Sequence, residues 1–257
     1  MIMRSLISLF HYMKEKIMKK NILVAFGDSY GAGAELFESG WKIGATQRKD
    51  DKKNFIQLLG TDYDECYNFS LIGASNPGFV SQLKKLEEIY NKNYNYTLIV
   101  MLTQHNRDFI YSPEKGWIDL YPGMSKTEES YKTEEENWYN LVNYPETAHL
   151  NWYKSINLVQ NYCKDKSIKD VYIEQFNPSP FIEDLEFLID RTKIYTTPVI
   201  KELFFKDGRE SVGTLDWKSF LKTNSYKEFY SPNFHPNELG HKKISKKVKE
   251  IIYTLND

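Results

Sequence analysis

The sequence is poor in the features that define several protein classes. Only two cysteines, Cys66 and Cys163, occur among 257 residues, and neither has a CxxC partner. A disulfide framework is therefore excluded, and a reducing compartment is the simpler expectation. Lysine plus arginine (34) and aspartate plus glutamate (35) nearly balance, with a formal net charge of -1. This balance argues against a protein that binds nucleic acid through bulk charge.

The N-terminus lacks the pattern of an export signal. Residues 5–13 are mildly apolar, but His11 and Tyr12 interrupt the run and no small-residue cleavage site follows it. The run is also too short to cross a bilayer. We therefore treat residues 1–18 as an N-terminal extension, predict no membrane span, and find no support for export.

Short apolar runs alternate with amphipathic segments along the rest of the chain. The run at residues 21–26 predicts a buried parallel strand, and residues 65–70, 96–102 and 169–175 are further candidate strands, of which 96–102 has the strongest pattern. Apolar residues at three- and four-residue spacings predict three helices. The first begins with Asn76 as its cap and Pro77 as its first residue. The second covers residues 149–164 and the third covers residues 239–253. This alternation indicates βαβ units and a parallel sheet with helices on both faces. We expect one domain over residues 19–257, with insertions at about 111–146 and 181–231.

The first predicted strand ends in a turn of small residues, FGDSYGAG at positions 26–33. Such a turn projects Ser29 from the carboxyl edge of the sheet. A helix that begins there directs amide groups and the positive end of its dipole at the serine oxygen, as an acyl-transfer nucleophile requires.

Other motifs overlap the same string. It matches GxSxG, the α/β-hydrolase elbow, but no HGGG motif accompanies it. The dinucleotide pattern GxGxxG fails at Leu36, and a P-loop would need Gly-Lys-Ser/Thr, which the turn lacks. A tight turn with an incidental serine is the alternative for this string taken alone.

A second motif, NFHPNELGH at positions 233–241, lies at the start of the last predicted helix. It places His235 in a loop from which the ring can reach Ser29. A serine hydroxyl is a poor nucleophile unless a neighbouring imidazole takes its proton. An isolated histidine is more often a surface or packing residue, and we assign His241 to that role.

Together, GDSY at 27–30 and HPNELGH at 235–241 resemble the first and last conserved blocks of the SGNH/GDSL hydrolase superfamily. The resemblance implies a flavodoxin-like three-layer α/β/α sandwich with a parallel sheet of about five strands. It also implies that Ser29 is the nucleophile and His235 the base. NFSLIGASN at 68–76 resembles the second block, which implies that the amide of Gly73 helps to form an oxyanion hole.

The remaining blocks depart from the family pattern. Where the family has GxND after the central strand, this chain has LTQHNR at 102–107; Asn106 matches by residue type and His105 by position. A TxxxR pattern here resembles SGNH-like proteins of phage genomes. Pro232 stands three residues before His235, where the family often has aspartate, so we expect a Ser29–His235 dyad oriented by a carbonyl or by Asn233.

The resemblance implies a serine esterase that hydrolyses a small-molecule or glycan ester, with O-acetyl groups on carbohydrate as the specific candidate. Trp117, Trp138 and Trp152 are the candidate sugar platforms. The alternative is a non-catalytic binding or structural module of a phage or surface protein, because loss of the orienting acid can lower kcat by about 10⁴-fold. We expect a cytoplasmic or virion-associated protein without cofactor or metal, since His235 and His241 lack further ligands at zinc spacing.

Overall fold

The computed structural model describes residues 19–33, 36, 53–72, 74–103, 108–112, 116–120, 145–176, 181–204, 224–230 and 235–256. The strands in this part of the chain are β1 (Asn21–Phe26), β2 (Glu65–Asn68), β3 (Asn95–Leu102), β4 (Asp108–Ser112), β5 (Gly116–Leu120), β6 (Lys169–Glu174) and β7 (Ile194–Tyr195). The α-helices are α1 (Ser29–Ala32), α2 (Phe55–Leu59), α3 (Phe79–Ile89), α4 (Pro145–Lys166), α5 (Val199–Phe204), α6 (Asn224–Phe229) and α7 (Glu238–Asn256). Short 3₁₀ helices cover Gly60–Asp62, Glu183–Leu188 and Arg191–Lys193.

Five strands form the central sheet in the order β2-β1-β3-β6-β7, and every neighbouring pair is parallel. Strands β4 and β5 form a separate antiparallel hairpin. The sheet order is that of flavodoxin-like proteins, so the predicted fold class is confirmed. The chain crosses from one side of β1 to the other between β2 and β3. In open α/β sheets, the crevice beyond the carboxyl ends of the strands at such a switch point is where ligands bind.

Helices cover both faces of the sheet and bury one apolar core on each side. Helices α3 and α4 pack on one face, and α2, α5 and α7 pack on the other. The apolar positions predicted from helical spacing lie inside these cores: Phe79, Leu83, Leu86, Trp152, Ile156, Val159, Cys163, Ile244, Val248, Ile251 and Ile252. No helix in the described ranges is long and apolar enough to cross a membrane.

Several features differ from the sequence prediction, and one is the hairpin β4–β5, for which no pattern indicated strands. The fifth strand, β7, lies inside the stretch 181–231, where the pattern indicated no strand. Helix α3 begins at Phe79 with Gly78 at its N-cap position, so the prediction that Asn76 caps this helix is wrong. The carboxamide of Asn76 instead bonds to the backbone of Thr103, where β3 has just ended.

Candidate active site

The turn after β1 presents Ser29 as the first residue of the single-turn helix α1. Asp28 caps this helix, because its Oδ1 accepts a hydrogen bond from the backbone amide of Tyr30 at 3.0 Å. Gly33 ends the helix with φ of 73°, in the left-handed region that a residue without Cβ adopts at little cost. The sequence left open whether a helix begins at this turn, and the structure has one that starts at Ser29.

The start of α7 positions His235. Asn237 caps this helix: its Oδ1 accepts from the amide of Gly240 at 3.0 Å. The backbone amide of Asn237 donates to the carbonyl of Phe229 at 2.9 Å, which fastens the helix start to the end of α6. Pro236 forms a β-bridge with Tyr230. These contacts fix the backbone on the C-terminal side of His235.

Ser29 and His235 meet although 206 positions separate them in the sequence. Nε2 of His235 lies 2.9 Å from Oγ of Ser29, within hydrogen-bond distance. Each residue is 6% exposed. The ring of Tyr30 lies 5.2 Å from the imidazole and contacts Phe176 edge-to-face at 4.7 Å. The pair thus has an aromatic wall on one side, and a neutral imidazole in this position can take the hydroxyl proton.

The carboxylate of Asp28 links the nucleophile turn to the rest of the sheet edge. Asp28 is 1% exposed, and its Oδ2 accepts a hydrogen bond from the hydroxyl of Thr103 at 2.9 Å. Nε2 of Gln175, directly after β6, donates to Oδ1 at 3.4 Å. A buried carboxylate needs such partners, because burial without them strongly disfavours the charged form. Nothing in the local sequence pattern signalled the contact between Thr103 and Asp28.

Two further carboxamides bind the nucleophile turn through the carbonyl of Gly31. Asn54 and Asn68 each donate from Nδ2 to the carbonyl of Gly31 at 2.8 Å. Gly31 leaves no space for a side chain, since a Cβ there would lie 2.4 Å from Oγ of Ser70. Asn54 was not selected from the sequence, since no helix was predicted after it; it also caps α2, because its Oδ1 accepts from the amide of Gln57 at 2.9 Å.

Several predicted residues lie outside the described part of the chain. These are Gly73, His105, Asn106 and Asn233. Their roles in the oxyanion hole and in orienting His235 stay predictions. His241 is fully buried, its Nδ1 accepts from the amide of Phe55 at 3.4 Å, and its ring stacks on the Phe55 ring. The assignment of His241 to a packing role is thus confirmed.

The burial of Trp152 contradicts one expectation, and burial also distinguishes the two cysteines. Trp152 is 2% exposed inside the core between α4 and the sheet, so the prediction that it is a sugar platform is wrong. Trp138 and the side chain of Trp117 lie outside the described residues. Cys163 is buried, and burial raises the pKa of its thiol, whereas Cys66 is only half-buried. Within the described ranges, no group of His, Cys, Asp and Glu side chains could hold a metal ion.

The comparisons with known proteins concern the fold of the chain. No protein-family model and no curated protein matches the sequence. Solved structures similar to this chain include two esterases and a member of the lipolytic G-D-S-L family.

Three of these structures illustrate the range. An acetyl xylan esterase is 11% identical, with 89% of this chain and 98% of that chain covered and a TM-score of 0.43. A psychrotrophic esterase from Pseudoalteromonas sp. is 13% identical, with coverages of 92% and 100% and a TM-score of 0.44. A member of the lipolytic G-D-S-L family from Veillonella parvula is 11% identical, with coverages of 90% and 97% and a TM-score of 0.44.

Proposed function

We propose that this protein is an SGNH-type serine hydrolase that cleaves an ester through an acyl-enzyme. The observation that carries the proposal is the 2.9 Å distance between Nε2 of His235 and Oγ of Ser29, at the carboxyl edge of a parallel sheet. Both residues are buried beside the switch point between β1 and β3. A nucleophile and a base within hydrogen-bond reach form the minimal unit of covalent acyl transfer.

The proposed reaction has two halves. In the first, Oγ of Ser29 bonds to the ester carbonyl carbon while Nε2 of His235 takes the hydroxyl proton. The tetrahedral intermediate then breaks the carbon–oxygen bond, and His235 gives its proton to the departing alcohol. In the second half, His235 takes a proton from water, which attacks the acyl-serine. The carboxylic acid leaves and the proton returns to Ser29.

Negative charge on the carbonyl oxygen of the intermediate requires hydrogen-bond donors. The first amides of a helix have no acceptor within the helix, and Ser29 is the first residue of α1, so we propose its amide as one donor. The amide of Gly73 and a side chain from His105 or Asn106 are proposed as the others, on the basis of the sequence blocks. We further propose that a carbonyl or Asn233 orients His235 in place of the family aspartate.

The substrate class proposed here is a small-molecule or glycan ester, with O-acetylated carbohydrate as the specific candidate. This choice depends on Trp117 and Trp138 in the stretch 111–146, since aromatic rings with a polar edge suit ligands that are partly apolar and partly wet. A panel of acetylated oligosaccharides and simple acetate esters tests it. Preference for simple esters over every acetylated sugar would contradict the carbohydrate assignment.

The nucleophile can be tested with p-nitrophenyl acetate and a fluorophosphonate that labels activated serines. We expect wild-type protein to hydrolyse the ester and to be labelled. Ser29→Ala should abolish labelling and lower kcat by about 10⁴-fold or more, as expected when a member of a nucleophile–base unit is removed. His235→Ala should lower both readouts to a similar extent.

Ser245→Ala is the matched control, because Ser245 lies within α7 and has no part in the proposed reaction. It should keep both turnover and labelling. If folded wild-type protein is neither labelled nor active across the pH range of its stability, the hydrolase proposal is wrong. The remaining candidate is then a non-catalytic binding module, which the absence of an acid at positions 232 and 233 favours.

A further inference from the structure

Two buried carboxamides from one segment of the chain bind the ends of two neighbouring strands. Oδ1 and Nδ2 of Asn76 bond to the amide and carbonyl of Thr103, both at 3.0 Å. Oε1 and Nε2 of Gln82 bond to the amide and carbonyl of Gly27 at 2.9 and 3.2 Å. Asn76 is 1% exposed and Gln82 is fully buried. Each carboxamide therefore satisfies both backbone groups of one residue, as a neighbouring strand would.

The two backbone positions bracket the candidate active site. Gly27 is the first residue after β1 and lies two positions before Ser29. Thr103 is the first residue after β3, and its hydroxyl donates to Asp28 at 2.9 Å. The chain that leaves Thr103 contains the residues proposed as side-chain oxyanion donors. Both the nucleophile turn and the start of the oxyanion loop are thus attached to one segment, residues 76–82.

That segment is itself firmly anchored. Helix α3 packs on the sheet through Phe79, Leu83 and Leu86, which are buried in the core shared with β1 and β3. Ser75 assists the turn before the helix, because its Oγ accepts from the amide of Gly78 at 3.2 Å. Carboxamides carry no charge at any ordinary pH, so their bonds to the backbone do not depend on titration. The segment is a rigid support for the two strand ends.

We propose that Asn76 and Gln82 are positioning residues for acyl transfer, which hold Ser29 in register with His235 and with the loop after β3. This inference rests on the hydrolase function proposed above. Catalysis depends on reacting groups that are held in a near-attack geometry, and a displacement of about 1 Å can lower the rate by about 10²-fold. Neither side chain contacts the reacting atoms in this scheme; both act through the backbone of Gly27 and Thr103.

The chain supplies a matched control for a purely structural role. Gln160, on α4, makes the same two-bond contact with the backbone of Asp190, at 2.7 and 3.0 Å, and is 7% exposed. Asp190 precedes β7, at the amino edge of the sheet, whereas Ser29 follows the carboxyl end of β1. Gln160→Met therefore removes a pair of part-buried bonds with the same pairing of atoms as the pair lost in Gln82→Met, but far from the nucleophile.

The experiment compares Asn76→Leu, Gln82→Met and Gln160→Met with wild type. All three should lower the urea midpoint, because each removes two hydrogen bonds between a carboxamide and the backbone. We expect Asn76→Leu and Gln82→Met to lower kcat by about 10²-fold, with KM changed by only about threefold or less. Gln160→Met should keep the wild-type kcat. If either variant does not fold, Asn76→Asp or Gln82→Glu, which keep an acceptor and remove the donor, takes its place.

Equal kcat values in Gln82→Met and Gln160→Met would overturn the inference, whether both fall or neither does. Failure of the hydrolase proposal is recognised separately, because wild-type protein would then be neither labelled nor active. In that case crystal structures of the same variants decide. A displaced Ser29 Oγ relative to His235 Nε2 in Gln82→Met alone supports the positioning role. An unchanged distance in both glutamine variants overturns it.

Discussion

Replacement of Thr103 by valine measures how strongly the nucleophile turn depends on the end of β3. Valine keeps the shape of threonine and removes the hydroxyl that donates to Oδ2 of Asp28 at 2.9 Å. Both residues are buried, at 6% and 1% exposure, so water does not readily replace the lost donor. A hydrogen bond to a charged group contributes about 1.5–3 kcal/mol. For a chain of this size, that loss lowers the melting temperature by about 3–12 °C.

The assay is urea unfolding at neutral pH, with ester hydrolysis measured on the same samples. A lower midpoint with an unchanged slope shows that stability alone has changed. The control is Thr61→Val, because the hydroxyl of Thr61 donates to the carbonyl of Leu58 at an exposed position. Its effect should stay within about 0.5 kcal/mol. If Thr103→Val is no less stable than Thr61→Val, the reasoning about a buried, partnered Asp28 is refuted.

Two further substitutions test packing and charge. Gly31→Ala should lower the free energy of unfolding by about 1–3 kcal/mol, because the added Cβ would lie 2.4 Å from Oγ of Ser70. Adding Ser70→Gly to this variant should restore part of the lost stability. A Gly31→Ala variant as stable as wild type would contradict the close approach. Arg191 binds both carboxylate oxygens of Glu186 at 2.7 and 2.8 Å and lowers the pKa of that carboxyl. The ion pair stabilises the fold above the ordinary carboxyl pKa, and this stabilisation is lost as pH falls and Glu186 is protonated. When the pH is lowered below about 5, the free energy of unfolding of Glu186→Gln should therefore fall less than that of wild type. Glu88→Gln, at an exposed position, is the control; identical acid dependence of wild type and Glu186→Gln would contradict this sign.

Much of the fold follows from local pattern. The sequence located four strands of the central sheet, and β1, β3 and β6 are buried along most of their length, as expected for apolar strands, whereas β2 is only half-buried. Helical spacing located the buried faces of α3, α4 and α7, because only one side of each helix faces a core and the apolar residues recur on that side. The two-residue strand β7 escaped prediction because it is too short to have a period.

Part of the candidate site could also be predicted from the sequence, and part depends on the fold. Local turn chemistry pointed to Ser29 and His235 separately, and their resemblance to two family blocks suggested the pair. The 2.9 Å contact across 206 positions depends on the packing of α7 on the sheet, which brings the start of α7 to the turn after β1. No local pattern contains that information, because the packing of helices on the sheet determines it.

The contacts of Asn76 and Gln82 could not be predicted from the sequence. An asparagine beside Pro77 is typical of a helix cap, and a glutamine inside a helix is typical of an exposed face. The sequence by itself therefore determined four strands of the central sheet, the buried faces of α3, α4 and α7, and the identity of the two candidate reacting residues. Tertiary structure decided that Asn76 and Gln82 bind the backbone of Thr103 and Gly27. A carboxamide can satisfy a local amide or a remote one equally well, and only the packed fold determines which backbone group is within reach.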